Sequence, residues 1–293
     1  MNKSLRFAIF PLLASLVFGC ADDASQALDT LEQSDAPTAA QVEDAAGKLP
    51  HVTTTDGPGP WGEVVKVKST PPGGWLIYPK DIGKNGTKHP IFVFGPGGGT
   101  TPQTYEQQGK HWDRYGSYGF VIYVLPRSTG DGKAMKAGLD WVLQQNTVSS
   151  SPLFGKLDTG KIAVAGHSMG SVTTFDFLPD PRITTSIHIS GGSGQGAAKK
   201  LTKTTMFISG EGGDPGTPNA DKDFRDSTAP TFYAIIKGST HMTSGRMAWE
   251  AIIAWLHWQL ADHTEWKKEF DQGGKFHQGI YKGQIKNWTG AQP

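Results

Sequence analysis

Cysteine is almost absent from these 293 residues: Cys20 is the only one, so no internal disulfide can form. Net charge is almost absent as well, at a formal +1 from 28 basic and 27 acidic side chains. A chain so balanced offers no electrostatic footprint for nucleic acid or an acidic polymer, and neither is expected as a partner. No pair of histidines shows metal-ligand spacing, so no metal is expected. No internal repeat occurs, which sets repeat architectures aside. The N-terminal apolar run, Phe7 to Phe18, is too short for a permanent membrane span. Glycine and proline are plentiful, at 38 and 19. That composition suits a globular protein with many turns and does not suit a coiled coil or a disordered chain.

The N-terminus reads as an address. Lys3 and Arg6 precede the apolar run, which ends in Leu16-Val17-Phe18-Gly19-Cys20. A small residue before a cysteine at this place resembles the bacterial lipoprotein signal. A lone thiol in an exported protein is a liability, and lipidation of Cys20 accounts for both its position and its solitude. The alternative is an ordinary signal peptide that happens to contain a cysteine; the bulky Phe18 is the feature that favours it. Residues 20–50 are rich in Ala, Asp, Glu, Ser and Gln, with little to bury, and read as a flexible acidic tether. The expected organisation is a signal segment over 1–19, the tether over 20–50 and one catalytic domain over 51–293. Compact packing is expected from about Gly57, and the domain is expected to be a monomer.

Within the domain, Trp61 to Lys68 partly alternates apolar and charged residues, as a half-exposed edge strand does. Trp75 to Pro79 and the continuous apolar run Pro90 to Phe94 are further strands. Helix and strand then alternate. Tyr105 to Tyr118 and Gly132 to Gln145 read as helices, Phe120 to Val124 and Ile162 to Ala165 as strands. Strands follow at Ile183 to Ile189, Thr204 to Ser209 and Phe232 to Ile236, and a helix over Ser244 to Ala261 closes the domain. This order implies a mainly parallel, doubly wound α/β sheet with helices on both faces.

The chain is organised around Gly166-His167-Ser168-Met169-Gly170. A strand precedes it and Val172 to Leu178 can form a helix after it, the context a Gly-x-Ser-x-Gly turn needs. The two glycines leave the sharp turn uncrowded, Ser168 projects its hydroxyl, and the Met169 N–H faces a forming oxyanion. With 38 glycines in the chain the five-residue pattern alone would be weak; the flanking strand and helix give it meaning.

A serine hydroxyl needs a base, and the base needs an acid. In a doubly wound hydrolase both come later in the chain, on loops at the carboxyl ends of strands. The loop Gly210 to Pro218 supplies Asp214 as acid, with Glu211, nearer the strand end, as competitor. The loop Lys237 to Met242 supplies His241 as base. Asp221, Asp223 and Asp226 are expected to face solvent. His167 is expected to line the cleft and His188 to be packed. The second oxyanion donor is expected from Gly95 to Thr100. A phosphate loop is excluded there because no Gly-Lys-Ser/Thr follows. Gly192 to Ala197 matches a dinucleotide fingerprint only superficially, since the helix it needs has no room before the next strand. No cofactor is expected.

At these residues the chain resembles the α/β-hydrolase superfamily and, more narrowly, the bacterial polyesterase–lipase–cutinase group with its chlorophyllase-like relatives. The resemblance runs from Trp61 to Phe270. It rests on Pro96-Gly97-Gly98, Gly166 to Gly170, Gly210 to Pro218 and Gly238-Ser239-Thr240-His241. It implies the α/β-hydrolase fold, Asp214 as acid, His241 as base and Gly98 as second oxyanion donor. The chain departs from the group at three places. The tryptophan common after the strand that follows the nucleophile helix is replaced by Ser190-Gly191-Gly192-Ser193. Gly98 carries no aromatic ring. The C-terminal disulfide cannot form. No lipase-type lid is evident. With the N-terminal address, which implies export and lipid anchoring or else secretion, the resemblance implies a serine esterase acting on a small-molecule or polymeric ester, with synthetic polyester not favoured by the residues. A peptidase or amidase with the same triad is the alternative within enzymes. A noncatalytic surface binding protein on a hydrolase fold is the alternative outside them.

Overall fold

A computed structural model describes residues 47–69, 72–107, 112–128 and 130–293. The chain divides into two units, Met1–Thr38 and Ala39–Pro293, and every described residue belongs to the second. The signal segment, Cys20 and the tether as far as residue 46 lie outside the described residues.

Among the described residues nine strands form one sheet: β1 (Val64–Lys68), β2 (Trp75–Pro79), β3 (His89–Gly95), β4 (Val121–Val124), β5 (Leu157–His167), β6 (Thr185–Ile189), β7 (Thr205–Gly210), β8 (Thr231–Ile236) and β9 (Tyr281–Lys286). Their order across the sheet is β1-β2-β4-β3-β5-β6-β7-β8-β9. The interior pairs, from β4 through β3 and β5 to β8, are all parallel. The outer pairs β1–β2, β2–β4 and β8–β9 are antiparallel. The mainly parallel sheet and the initial hairpin thus match the sequence.

The helices are α1 (Pro102–Gln107), α2 (Trp112–Ser117), α3 (Lys133–Gln145), α4 (Met169–Phe177), α5 (Thr217–Asp226), α6 (Ser244–Met247), α7 (Trp249–Leu260) and α8 (Lys267–Phe270). They cover both faces, and the strand period of two decides which core each apolar residue enters. Along β3, Phe92 and Phe94 join Trp112 of α2 and Trp255 of α7, while Ile91 and Val93 join Met135, Leu139 and Val142 of α3. The residues of α7 from Ala251 to Leu260 are all buried. Each large apolar side chain among them contributes about 1.5–3 kcal/mol through burial. Trp255 also donates from Nε1 to the Thr185 hydroxyl at 2.9 Å, so its polar edge is satisfied within that core. Truncating Trp255 to alanine would remove both.

The structure differs from the sequence expectation at three places. The closing helix is two, α6 and α7, because Ala248 leaves helical geometry at φ −92° and ψ 8°. The domain closes on β9, which lies antiparallel along β8 and covers its edge. Packing also starts before Gly57: Leu49 and Val52 are buried in the core that α7 shares. Of the two tail tryptophans, Trp266 is buried and Trp288 packs partly buried against the same core.

Candidate active site

The parallel strands end together, and the turns that leave β3, β5, β7 and β8 gather there. At the end of β5 the chain reverses into α4 through Ser168, which is held at φ 55° and ψ −119°. Left-handed φ is costly for a residue with a side chain and persists only where the surroundings impose it. Here the Ser168 amide donates to the Ile189 carbonyl of β6 at 2.9 Å. The glycines on either side allow the close approach. A Cβ at 166 would lie 2.1 Å from the Gly170 carbonyl, and one at 170 would lie 2.0 Å from the Gly95 oxygen. The elbow therefore presses directly on the loop that follows β3.

Ser168 caps the N-terminus of the nine-residue α4. The positive end of that helix points where negative charge would develop. The Met169 and Gly98 amides take part in none of the loop and turn hydrogen bonds among the described residues. The two residues adjoin: a Cβ at 98 would meet the Met169 sulfur at 2.6 Å. The Met169 thioether, half-exposed, thus takes up the space that a ring at 98 would need.

The loops that carry Asp214 and His241 leave neighbouring strands and are tied to each other. The Gly212 amide donates to the Ser239 carbonyl at 2.8 Å. Across this junction His241 donates from Nδ1 to Asp214 Oδ1 at 2.7 Å. The Asp214 side chain is fully buried, and that of His241 is a quarter exposed. Burial pushes the Asp214 carboxyl up. The Ser190 hydroxyl, the Gly210 amide, His241 and the Gly216 amide outweigh it and hold the group below the ordinary carboxylate value. With its proton on Nδ1, the His241 ring leaves Nε2 as the basic atom. Glu211 is engaged elsewhere, accepting from the Gly238 amide at 3.1 Å and pairing with Lys282.

His167 and His241 pack ring to ring, with centroids 4.7 Å apart, which sets His241 beside the residue preceding Ser168. No hydrogen bond joins Ser168 to His241 among the described residues; resting enzymes often make that contact only with substrate bound. His167 does not line an open cleft. It is 1 % exposed and held at both ring nitrogens, by the Tyr105 hydroxyl at 2.9 Å and the His241 carbonyl at 2.8 Å. His188 is packed as expected, between the rings of Phe175 and Phe207.

Asp223 was expected in solvent and is instead fully buried. It accepts from the Ser193 hydroxyl and the Gly194 amide, each at 3.2 Å, and burial raises its carboxyl above the ordinary value. It therefore anchors the glycine-rich loop after β6, which borders the Ser168 backbone: a Cβ at 191 would lie 2.7 Å from the Ser168 carbonyl oxygen. Sequence reasoning missed Tyr105 and Asp223 as neighbours of the site, since nothing in their local pattern sets them apart.

Comparison with known proteins now bears on this arrangement. The family described as PET hydrolase-like matches residues 25–270. The chain belongs to that family. It is a carboxylic ester hydrolase on an α/β-hydrolase fold. The family match ends where the sequence resemblance ends, at Phe270, and begins well before Trp61. A bis(hydroxyethyl) terephthalate hydrolase of Streptomyces coelicolor is 24 % identical over 261 residues, covering 83 % of this chain and 78 % of that protein. The polyesterase-like grouping thus holds across most of the chain, including the stretch that carries the Ser168 turn and the loops of Asp214 and His241.

Proposed function

We propose that the chain hydrolyses carboxylic esters through Ser168, His241 and Asp214 by way of an acyl-enzyme. The observation that carries this reading is the 2.7 Å Asp214–His241 hydrogen bond beside a serine held at φ 55°. His241 Nε2 takes the Ser168 proton as Oγ attacks the ester carbonyl. The amides of Gly98 and Met169 hold the oxyanion, and Asp214 stabilises the imidazolium. Collapse breaks the carbonyl–alkoxy bond, and His241 returns the proton to the leaving alcohol. Water, deprotonated by His241, then releases the acid from Ser168 through the same steps in reverse order.

The substrates we propose are small soluble esters, including hydroxyethyl esters of aromatic acids such as the relative's name describes, ahead of polyester film. Gly98 has no ring, and Ser190 to Ser193 offers none, so no aromatic side chain at those positions stacks on an extended aromatic polymer. Ser168→Ala should lower kcat on p-nitrophenyl butyrate by roughly 10⁵- to 10⁶-fold while the circular dichroism spectrum stays native. A fluorophosphonate probe should label the wild type and not the variant. Near-normal turnover by folded Ser168→Ala would sink the assignment. Film hydrolysed faster than bis(hydroxyethyl) terephthalate would sink the substrate preference alone.

We further propose that the protein is exported as a monomer and anchored through acyl groups on Cys20, with the acidic stretch after it as tether. The supports are the sequence Leu16 to Cys20 and the lack of any other cysteine. One acyl chain anchors only marginally and several anchor stably. A fatty acid analogue should label the wild type and not Cys20→Ala. An unlabelled wild type whose mature N-terminus maps elsewhere would show ordinary secretion.

A further inference from the structure

We propose that Tyr105 and His167 form a positioning bridge that locks the oxyanion loop to the backbone of the catalytic base. The bridge runs beside Ser168: a Cβ at 97 would lie 2.9 Å from His167 Nδ1, 3.2 Å from Ser168 Cβ and 3.3 Å from the Tyr105 hydroxyl. At one end the Tyr105 hydroxyl accepts from the Gly97 amide at 2.7 Å and from Thr100 Oγ1 at 3.2 Å. At its centre the same hydroxyl meets His167 Nδ1 at 2.9 Å. At the other end His167 Nε2 meets the His241 carbonyl at 2.8 Å.

The chemistry of the end groups sets the direction of each bond. A backbone carbonyl can only accept, so His167 Nε2 carries the proton. The Nδ1 of neutral His167 is then an acceptor and takes the proton of the Tyr105 hydroxyl. That hydroxyl, its proton so directed, accepts from Gly97. Burial raises the Tyr105 phenol above its ordinary value, which keeps it a donor at neutral pH. Both side chains are buried, at 0 % and 1 % exposed.

The consequence falls on both halves of the site. His241 is held at two points, its ring by Asp214 and its carbonyl by His167, so Nε2 has a fixed aim. Gly97 immediately precedes the oxyanion donor, and its carbonyl is held in a turn by the Thr100 amide at 3.1 Å and the Thr100 hydroxyl at 2.7 Å. Its amide is fixed by Tyr105, which sets the peptide plane just before the one that carries the Gly98 N–H; Thr100 holds the latter through the Gly97 carbonyl. Neither side chain touches the reacting atoms; they are positioning residues. This proposal rests on the Ser168, His241 and Asp214 reading above.

Tyr105→Phe tests it, because the ring keeps its packing on Phe94 and Trp112 while the hydroxyl is lost. The variant should lose kcat roughly 10- to 100-fold on p-nitrophenyl butyrate with KM changed by less than about twofold, since misaimed groups fail in the transition state. In the wild type, ¹⁵N spectra should show His167 as the Nε2–H tautomer. Folded Tyr105→Phe with wild-type kcat overturns the bridge, as does a wild-type His167 protonated on Nδ1 alone. If Tyr105→Phe does not fold, a second pair decides. His167→Gln, which can still donate to His241 and accept from Tyr105, should retain about 10-fold more kcat than His167→Leu, because it restores the aim of the base. Equal rates in that pair overturn the bridge. Ser168→Ala measured alongside separates the two readings: if it stays active the triad fails, and if it is inactive the Tyr105 and His167 results judge the bridge alone.

Discussion

A buried carboxylate costs several kcal/mol unless hydrogen bonds offset the loss of water. Asp214 has them: the Gly210 amide on Oδ2 at 2.7 Å, the Gly216 amide on Oδ1 at 2.9 Å and His241 on the same oxygen. Two amides fix the carboxylate, so it in turn fixes the imidazole. Glu211 sits on the surface with Lys282, an exposed pair of small energetic worth. Asp214→Asn should therefore lower kcat by about 10³- to 10⁴-fold, because an amide facing Nδ1 favours the wrong tautomer of His241. Glu211→Gln should leave kcat nearly unchanged. Steady-state kinetics of the two variants decides the acid, and a crippled Glu211→Gln beside an active Asp214→Asn would reverse the assignment.

At the scale of elements, legibility follows local pattern. Several buried strands of the parallel sheet are continuous apolar runs, Ile91 to Phe94 and Ile162 to Ala165 among them, and these appear where their runs fall, whereas β6 buries Thr185, Ser186 and His188 and starts two residues later than Ile183. The elbow is legible because the close approach at its two glycines is a local demand that only glycine meets. The loops that carry Asp214 and His241 are legible because they leave strands that the sequence already marks. What the sequence hides is made by contacts distant in the chain. The Tyr105–His167 hydrogen bond spans 62 residues, and no pattern near either residue foretells it. Asp223 shares a polar helix with Asp221 and Asp226, and only the glycine loop folding over it distinguishes it. The strand β9 did carry a signal, since Tyr281, Gly283 and Ile285 alternate with Lys282, Gln284 and Lys286. Its central glycine and three polar partners give it the look of a loop, and charged residues of that kind suit an edge strand.

At the scale of the whole molecule, His89, His188 and His257, buried histidines whose protonation burial disfavours, shape its response to acid. His89 donates from Nδ1 to the Gly119 carbonyl at 2.7 Å and accepts on Nε2 from the Gly83 amide at 3.0 Å, a pattern that only the neutral ring satisfies. Burial pushes it down to about 4, and nearby Lys156 adds to the effect. His188, held by the hydroxyls of Ser171 and Ser186, is pushed down by burial to about 3. His257, facing His263, lies well below its ordinary value through burial, with His263 and His51 adding to it. A histidine whose folded value is depressed binds its proton more readily when unfolded. Its contribution is intact above the unfolded value of about 6.5 and is lost as pH falls toward the folded value. Each proton taken up on unfolding costs about 1.4 kcal/mol of stability per pH unit, so three give roughly 4 kcal/mol per unit between about pH 5.5 and 4. Asp214, depressed in the fold, extends the loss below its unfolded value of 3.8, while Asp223, raised in the fold, opposes it by one proton at most. Against a total of about 5–15 kcal/mol, this slope should unfold the domain near pH 4 to 5. Urea titrations at pH 7, 5.5 and 4.5 measure it, and His188→Gln should reduce the slope by about 1.4 kcal/mol per pH unit whatever it does to stability at pH 7. A wild type whose stability stays flat from pH 6.5 to 4 would mean that these rings are not buried in their neutral form.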